Sequence, residues 1–223
     1  PDTNACLPSG AGRRDAMPPY AYERLSAQDS SFLVFEGDNT HMHIGGTTLF
    51  EVGPLRTADG GVDIDRIRSY VASRLHAIPR YRQKLHYIPV ENFPCWVDDE
   101  HLNLKYHVRH TALPRPGDDA QLKALAARVM SQKLDRSKPL WELWIVEGLS
   151  GDRFAMILKT HHAVVDGVSG VDLVGALLRP TPDERIPRTA RWEPRRLPTL
   201  AEFLREELAG AARSSVALGN LLQ

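Results

Sequence analysis

Two adjoining segments near the middle of the chain constrain the fold most. Residues 141–147 and 153–161 are rich in apolar side chains, and each has the length of one strand. Residues 148–152, between them, contain two glycines and an aspartate, which is typical of a tight turn. The sequence therefore predicts a β-hairpin. Its second strand runs directly into a histidine pair, and a short helix is expected after it, over residues 168–178.

Helices and strands alternate through the rest of the chain. Apolar residues recur every three or four positions over residues 63–78 and 118–133, which predicts two amphipathic helices. Ser26, followed three residues later by Asp29, indicates the start of an earlier short helix. Proline and aromatic residues at 93–96 predict an irregular loop. The remaining predicted strands are residues 41–52, 82–89 and 105–113.

Four segments differ in composition. Residues 1–24 are predicted to be a loose tail, because they are rich in proline, glycine and small polar residues. Residues 25–178 hold the predicted helices and strands and form one lobe. Residues 179–198 contain five prolines and six arginines against three acidic residues, which indicates an extended basic linker. Residues 199–223 have an apolar face at helical spacing and predict a terminal amphipathic helix.

Composition and charge exclude several classes of protein. Hydrophobic residues make up 42% of the 223, and 28 basic residues balance 28 acidic ones. These values are typical of a globular domain, not of a disordered chain or a strongly basic nucleic-acid binder. No apolar run approaches the roughly 18–20 residues that span a bilayer, and no signal peptide pattern is present. We expect a cytoplasmic protein, with peripheral contact to a membrane or lipid droplet as an option.

The motif that points to chemistry follows the predicted hairpin. His162, Asp166 and Gly167 form the pattern H-x-x-x-D-G. A neutral imidazole is the usual general base, because its pKa lies near working pH. An aspartate four residues later can hold the loop that orients the ring, and glycine permits backbone angles closed to other residues. No serine or cysteine nucleophile motif is present, which favours direct transfer over a covalent enzyme intermediate.

The histidine pair and the glycines of the predicted strand also have structural interpretations. His161 and Gly167 are candidate catalytic residues as parts of the motif, but a packed core position is the favoured interpretation of His161. A metal ion held by the pair is disfavoured, because neighbouring strand residues point to opposite faces, so we expect no metal site. Gly45 and Gly46 lie inside a predicted strand and indicate a bulge or, second, the close approach of a ligand.

Five segments together carry a resemblance to a known family. The H-x-x-x-D-G pattern is similar to the motif of CoA-dependent acyltransferases and of peptide-synthetase condensation domains. The fuller set resembles the bacterial wax ester synthase/acyl-CoA:diacylglycerol acyltransferase family, and its order and spacing match from about residue 24 to residue 180. The matching segments are residues 25–29, 41–46, 79–85, 134–142 and 161–172.

The resemblance implies an α/β fold of the α+β sandwich type. This is a chloramphenicol-acetyltransferase-like lobe, a mixed β-sheet with flanking helices, that faces a second lobe across a tunnel. Chains of the family are about twice as long, and the Asn-Asp motif of their second half is absent here. We therefore expect the C-terminal lobe to be a further partner, in the same chain or in a separate one.

The resemblance also assigns roles. His162 would be the general base that takes a proton from a long-chain alcohol or from the free hydroxyl of diacylglycerol. The oxygen would attack the thioester of a fatty acyl-CoA, a co-substrate, so no bound cofactor is expected. Asp166 would be structural and would pair with a cation, for which Arg24, Arg80 and Arg82 are unranked candidates.

Substrate contacts follow from the same comparison. Pro139, Leu140 and Trp141 would line the acyl path, although plain core packing is the alternative for Trp141. Gly45 and Gly46 would let the chain pass close to the backbone. Two alternative functions remain open at this stage. One is a condensation-type domain acting on carrier-tethered peptides, and the other is a non-catalytic lobe that binds lipid.

Overall fold

Two β-sheets organise the computed structural model, which describes residues 20–89, 91–165, 177–178 and 192–209. The strands are β1 (Tyr22–Arg24), β2 (His43–Glu51), β3 (Gln83–Ile88), β4 (Phe93–Asp98), β5 (Val108–Ala112), β6 (Trp141–Leu149) and β7 (Arg153–His161). One sheet is antiparallel, with the order β1-β4-β3. The other has the order β2-β7-β6-β5 and is mixed, because β5 runs parallel to β6.

Side-chain caps fix where the helices begin. The helices are α1 (Ala27–Phe35), α2 (Ile64–Arg74), α3 (Leu104–His107) and α4 (Asp119–Met130), and residues 200–209 are also helical. Ser26, Asp63 and Asp118 each accept a hydrogen bond from a first-turn backbone N–H. Such a bond satisfies a donor that has no partner inside the helix. The predicted helix start at Ser26 is therefore confirmed.

Helices cover both faces of the four-stranded sheet. Leu122, Leu125 and Val129 of α4 pack on one face against apolar residues of β6 and β7. The opposite face joins the main core, which includes residues of α2 and of the three-stranded sheet. This mixed sheet with flanking helices confirms the predicted fold class.

The hairpin of β6 and β7 is present as predicted, with one irregularity. The pairing runs from Trp141 with Thr160 to Leu149 with Arg153, and the register shifts after Val146. Gly148 lies at this shift with φ of +81°, a backbone angle that side chains rarely adopt. The bulge in the sheet therefore falls in β6.

Several predicted boundaries are wrong. The expected loop at 93–96 is strand β4, which pairs with β3 along its whole length. The predicted helix over 63–78 ends as an α-helix at Arg74 and continues as short 3-10 turns. Residues 104–107 form α3 ahead of β5, where a strand was expected. Residues 22–24, assigned to the loose tail, form β1.

Two predicted helices can be compared only in part. Of the helix expected over residues 168–178, only 177–178 are described, and residues 179–191 of the linker lie outside the described part of the chain. The terminal helix is present over residues 200–209, and its continuation lies outside the described residues. No helix among the described residues is long and apolar enough to cross a membrane.

Candidate active site

The two histidines of the motif lie where β7 ends. His161 is the last strand residue and is fully buried, whereas His162 begins a 3-10 turn, His162–Val164, and is half-buried. The Nδ1 atom of His161 accepts a hydrogen bond from the backbone N–H of Ala163 at 3.1 Å. A ring nitrogen that accepts carries no proton, so the proton of the neutral His161 ring lies on Nε2.

His162 is held by its backbone and by one aromatic ring. Its N–H donates to the carbonyl of Met42 at 2.8 Å. Its imidazole stacks on the ring of Phe32, with centroids 4.3 Å apart and an interplanar angle of 22°. Phe32 belongs to α1, the helix that Ser26 caps. The cap and the helix therefore determine where the His162 ring lies.

A buried carboxylate that sequence reasoning missed lies beside the motif. The Glu36 side chain is only 2% exposed, and its Oε2 accepts from Arg136 at 2.8 and 3.2 Å. Its Oε1 lies 3.2 Å from Nε2 of His43 and 3.6 Å from Nε2 of His161. The Met42 N–H donates to the same oxygen at 3.4 Å.

Burial and one ion pair set the charges of this group. Burial lowers the pKa of His43 and of His161 to about 4, although the Glu36 carboxylate partly opposes it. Burial acts to raise the pKa of Glu36, but the Arg136 hydrogen bond and nearby charges outweigh it and lower that pKa. At neutral pH the group therefore contains two neutral imidazoles and one carboxylate–guanidinium pair.

The Pro139-Leu140-Trp141 segment anchors the motif from the other side. The Leu140 carbonyl accepts from the N–H of His161 at 3.0 Å. The Trp141 ring is fully buried, stacks on Tyr81 at 4.4 Å and donates through Nε1 to the Tyr81 carbonyl at 2.9 Å. The structure thus gives Leu140 and Trp141 a packing role, and their contact with an acyl chain stays a prediction.

The two glycines of β2 have different surroundings. The expected bulge is absent, because β2 pairs with β7 in unbroken register from His43 to Glu51. A Cβ atom on Gly45 would lie 2.3 Å from the Leu158 carbonyl oxygen and 3.0 Å from the sulfur of Met130. A Cβ atom on Gly46 would meet nothing within 4 Å. Close packing therefore explains Gly45, whereas nothing in the described structure explains Gly46.

The three candidate cations for Asp166 have other partners in the described structure. Asp166 and Gly167 lie outside the described residues. Of the candidate cations, Arg24 pairs with Glu91 and Glu207, and Arg80 pairs with Glu23. Arg82 lies over the ring of Trp192.

The described residues hold no cluster of three or more histidine, cysteine or acidic side chains suited to a metal ion.

Sequence reasoning missed Glu36 because an acidic residue that follows an apolar helix normally has its side chain in solvent. Nothing in a single sequence marks it as buried.

Comparison with known proteins places this geometry in context. Residues 25–221 match the sequence model of the wax ester synthase/diacylglycerol acyltransferase catalytic domain. A probable diacylglycerol O-acyltransferase of Mycobacterium tuberculosis is 41% identical over 149 residues, which is 66% of this chain and 53% of that protein. A putative diacylglycerol O-acyltransferase of the same species is 35% identical, over 81% of this chain and 38% of its own. The chain spans about half the length, or less, of these relatives.

Solved structures support the same fold. The wax ester synthase/diacylglycerol acyltransferase from Marinobacter aquaeolei superposes with a TM-score of 0.62 and 31% identity, over 86% of this chain and 46% of that one. A four-domain nonribosomal peptide synthetase superposes with a TM-score of 0.51 and 14% identity, over 65% of this chain and 10% of that one. At that identity the second likeness concerns the fold alone.

Proposed function

Because the chain belongs to the wax ester synthase/diacylglycerol acyltransferase catalytic domain family, we propose that it carries the base-bearing half of an O-acyltransferase. The reaction moves a fatty acyl group from acyl-CoA to a long-chain alcohol or to diacylglycerol, and the products are a wax ester or triacylglycerol and free CoA. One observation carries this proposal. The His162 ring lies against Phe32 while its neighbour His161 is fully buried.

The chemical step needs one base. The imidazole of His162 takes the proton of the acceptor hydroxyl while the oxygen forms a bond to the thioester carbonyl carbon. The carbon–sulfur bond then breaks, and the proton passes from His162 to the leaving CoA thiolate. No covalent enzyme intermediate is required. Asp166, which lies outside the described residues, is assigned a structural role rather than a part in proton transfer.

Substrate contacts are assigned to two segments. Pro139, Leu140 and Trp141 are assigned to the acyl path. They lie next to the motif, since the Leu140 carbonyl accepts a hydrogen bond from the N–H of His161. Gly46 leaves the backbone of β2 open to an approaching chain. Gly45, beside it, keeps α4 close to the sheet.

A second lobe completes the site. Residues 25–178 form the lobe that carries the motif, and residues 179–198 and 199–223 lead to the C-terminal lobe, in the same or a separate chain. The helix over residues 200–209 buries Phe203 against the three-stranded sheet. Its outward side presents Leu200, Leu204 and Leu208, which are 54%, 43% and 72% exposed. An apolar stripe of this kind suits a covering lobe.

Peripheral contact with a lipid surface is proposed for the basic linker. Its six arginines against three acidic residues attract anionic lipid. Arg195 and Arg196 are already paired, with Asp98 and Glu202 respectively. Sedimentation with anionic vesicles, with the remaining linker arginines changed to glutamine, tests this role. Unchanged binding would contradict it.

Product analysis tests the proposed reaction. The complete enzyme, meaning this chain with its second lobe, is incubated with palmitoyl-CoA and either hexadecanol or dioleoylglycerol. We expect CoA release that depends on the acceptor, with matching ester formation, and no turnover by this chain alone. Amide formation from a carrier-bound amine, or lipid binding without any product, would contradict the proposal.

A further inference from the structure

Glu36 lies where four segments around the motif meet. It follows α1, whose Phe32 contacts His162, and its carboxylate faces His43 at the start of β2 and His161 at the end of β7. Arg136, which precedes the Pro139-Leu140-Trp141 segment, closes the group from the fourth side. A carboxylate that is buried loses its hydration, and this costs free energy. Its four partners have to compensate for that cost.

The two oxygens of this carboxylate have different partners. Oε2 accepts both hydrogen bonds from Arg136, whereas Oε1, among the described residues, lies near the Met42 N–H and the Nε2 atoms of His43 and His161. Within the described part of the chain the His161 Nε2 atom makes no hydrogen bond, and Oε1 of Glu36 lies 3.6 Å from it. An oxygen with this environment favours imidazoles that carry their proton on Nε2.

The tautomer of His161 controls the turn that presents His162. With the proton on Nε2, Nδ1 is free to accept from the Ala163 N–H. With the proton on Nδ1, two donors would face each other inside a buried site. The hydrogen bond from the Ala163 N–H would be lost, and the two N–H groups would repel each other. Ala163 directly follows His162 in the chain. The tautomer of His161 therefore acts on the backbone next to His162 through the hydrogen bond from the Ala163 N–H.

We propose that Glu36 is a positioning residue that fixes the Nε2–H tautomer of His161, and through the Ala163 N–H the orientation of the His162 turn. This inference rests on the proposed function only for its effect on turnover. The tautomer itself can be observed without any reaction. Glu36 touches no substrate in this account and acts through His161.

Glu36→Gln distinguishes this role from simple packing. A glutamine is nearly isosteric, and Arg136 will hold its carbonyl oxygen, since both guanidinium bonds need an acceptor. The amide NH₂ then faces the two imidazoles. A donor in place of Oε1, 3.6 Å from Nε2 of His161, opposes a proton on that nitrogen. We expect the proton of His161 to move to Nδ1, which breaks the bond to Ala163.

The experiment is ¹⁵N spectroscopy of labelled histidine in the complete enzyme, with His161 assigned by comparison with His161→Asn. In the wild type we expect a protonated Nε2 and an unprotonated Nδ1 for His161 at neutral pH. In Glu36→Gln we expect the reverse. The opposite tautomer of His161 in the wild type would overturn the inference, whether or not Glu36→Gln folds. An unchanged tautomer in Glu36→Gln would overturn it as well.

Kinetics supply the second readout. Glu36→Gln should lower kcat by about tenfold or more with little change in KM, as part of the roughly 10²–10⁴-fold that a positioned base supplies. Glu36→Asp keeps two acceptor oxygens and should retain both the tautomer and more of the turnover. The matched control is Asp38→Asn, which removes one negative charge from the same loop, where Asp38 is exposed and paired with Lys133.

The two proposals fail separately. A reversed tautomer in Glu36→Gln, in a protein that makes no ester, supports the positioning role and counts only against the proposed function. Ester formation at the wild-type rate by Glu36→Gln, with the tautomer reversed, overturns the link from His161 to His162 and leaves acyl transfer standing.

Discussion

The imidazole of His162 stacks on the phenyl ring of Phe32, with ring centroids 4.3 Å apart. These residues are 130 positions apart in the chain, and the contact joins the turn after β7 to α1. The same helix carries Glu36 at its C-terminal cap. Both the ring and the backbone of His162 therefore depend on where α1 lies.

Removing the Phe32 ring should loosen His162. An aromatic pair contributes about 0.5–1.5 kcal/mol beyond its buried area. We expect Phe32→Ala to lower kcat by about two- to tenfold, measured as CoA release by the complete enzyme. Val34→Ala is the control on the same helix, since Val34 is 78% exposed, and it should have wild-type kcat. Equal rates in both variants would show that the stacking does not position the ring.

The neighbouring glycines of β2 offer a matched pair for stability. Gly45→Ala drives a Cβ atom into the Leu158 carbonyl and Met130, and such overpacking costs about 1–3 kcal/mol. Gly46→Ala meets open space and should be neutral or slightly stabilising. Urea denaturation of the two variants measures the difference. A Gly45→Ala protein as stable as Gly46→Ala would contradict the close packing of α4 against β2.

Acid should destabilise the fold through the buried histidines. The pKa of His43 and of His161 is about 4 in the folded chain, against roughly 6.5 when unfolded. Between these values the unfolded state binds more protons, so the free energy of unfolding falls as pH drops from about 6.5 to 4. The loss should be on the order of a few kcal/mol across that window.

Urea midpoints at pH 7 and pH 5 measure this dependence. His43→Gln should reduce the difference between the two midpoints, because one of the two titrating groups is removed. His101→Gln changes an exposed histidine and should preserve the wild-type difference. Equal midpoints for the wild type at both pH values would mean that the buried imidazoles do not titrate as proposed.

Local signals predicted much of the fold. Ser26 predicted the start of α1, and its hydroxyl accepts a hydrogen bond from the N–H of Asp29 in the first turn. The glycines at 148 and 151 predicted the hairpin, and both have positive φ. The buried state of His161 also agrees with the expectation of a packed residue.

Long-range contacts explain what the sequence did not predict. Pro94 and Trp96 suggested a loop, yet β3 supplies a partner strand and Trp96 is fully buried. Proline has no N–H to donate, and Pro94 is tolerated because the pairing with β1 has ended at Cys95. The Pro94 carbonyl accepts a hydrogen bond from the N–H of Leu25. Phe35 is apolar and belongs to α1, yet it is 66% exposed. Only the packing of distant segments decides such cases, as it does for Glu36.

The central claim is that His162 is the base and His161 its structural neighbour, and paired alanine variants test it most directly. Single-turnover acyl transfer from palmitoyl-CoA is measured for the complete enzyme and for His162→Ala and His161→Ala, with folding checked by circular dichroism. We predict that His162→Ala loses about 10²–10⁴-fold in rate while folded, whereas His161→Ala keeps a measurable fraction. Wild-type transfer by a folded His162→Ala protein, or equal and complete loss in both folded variants, would contradict this account.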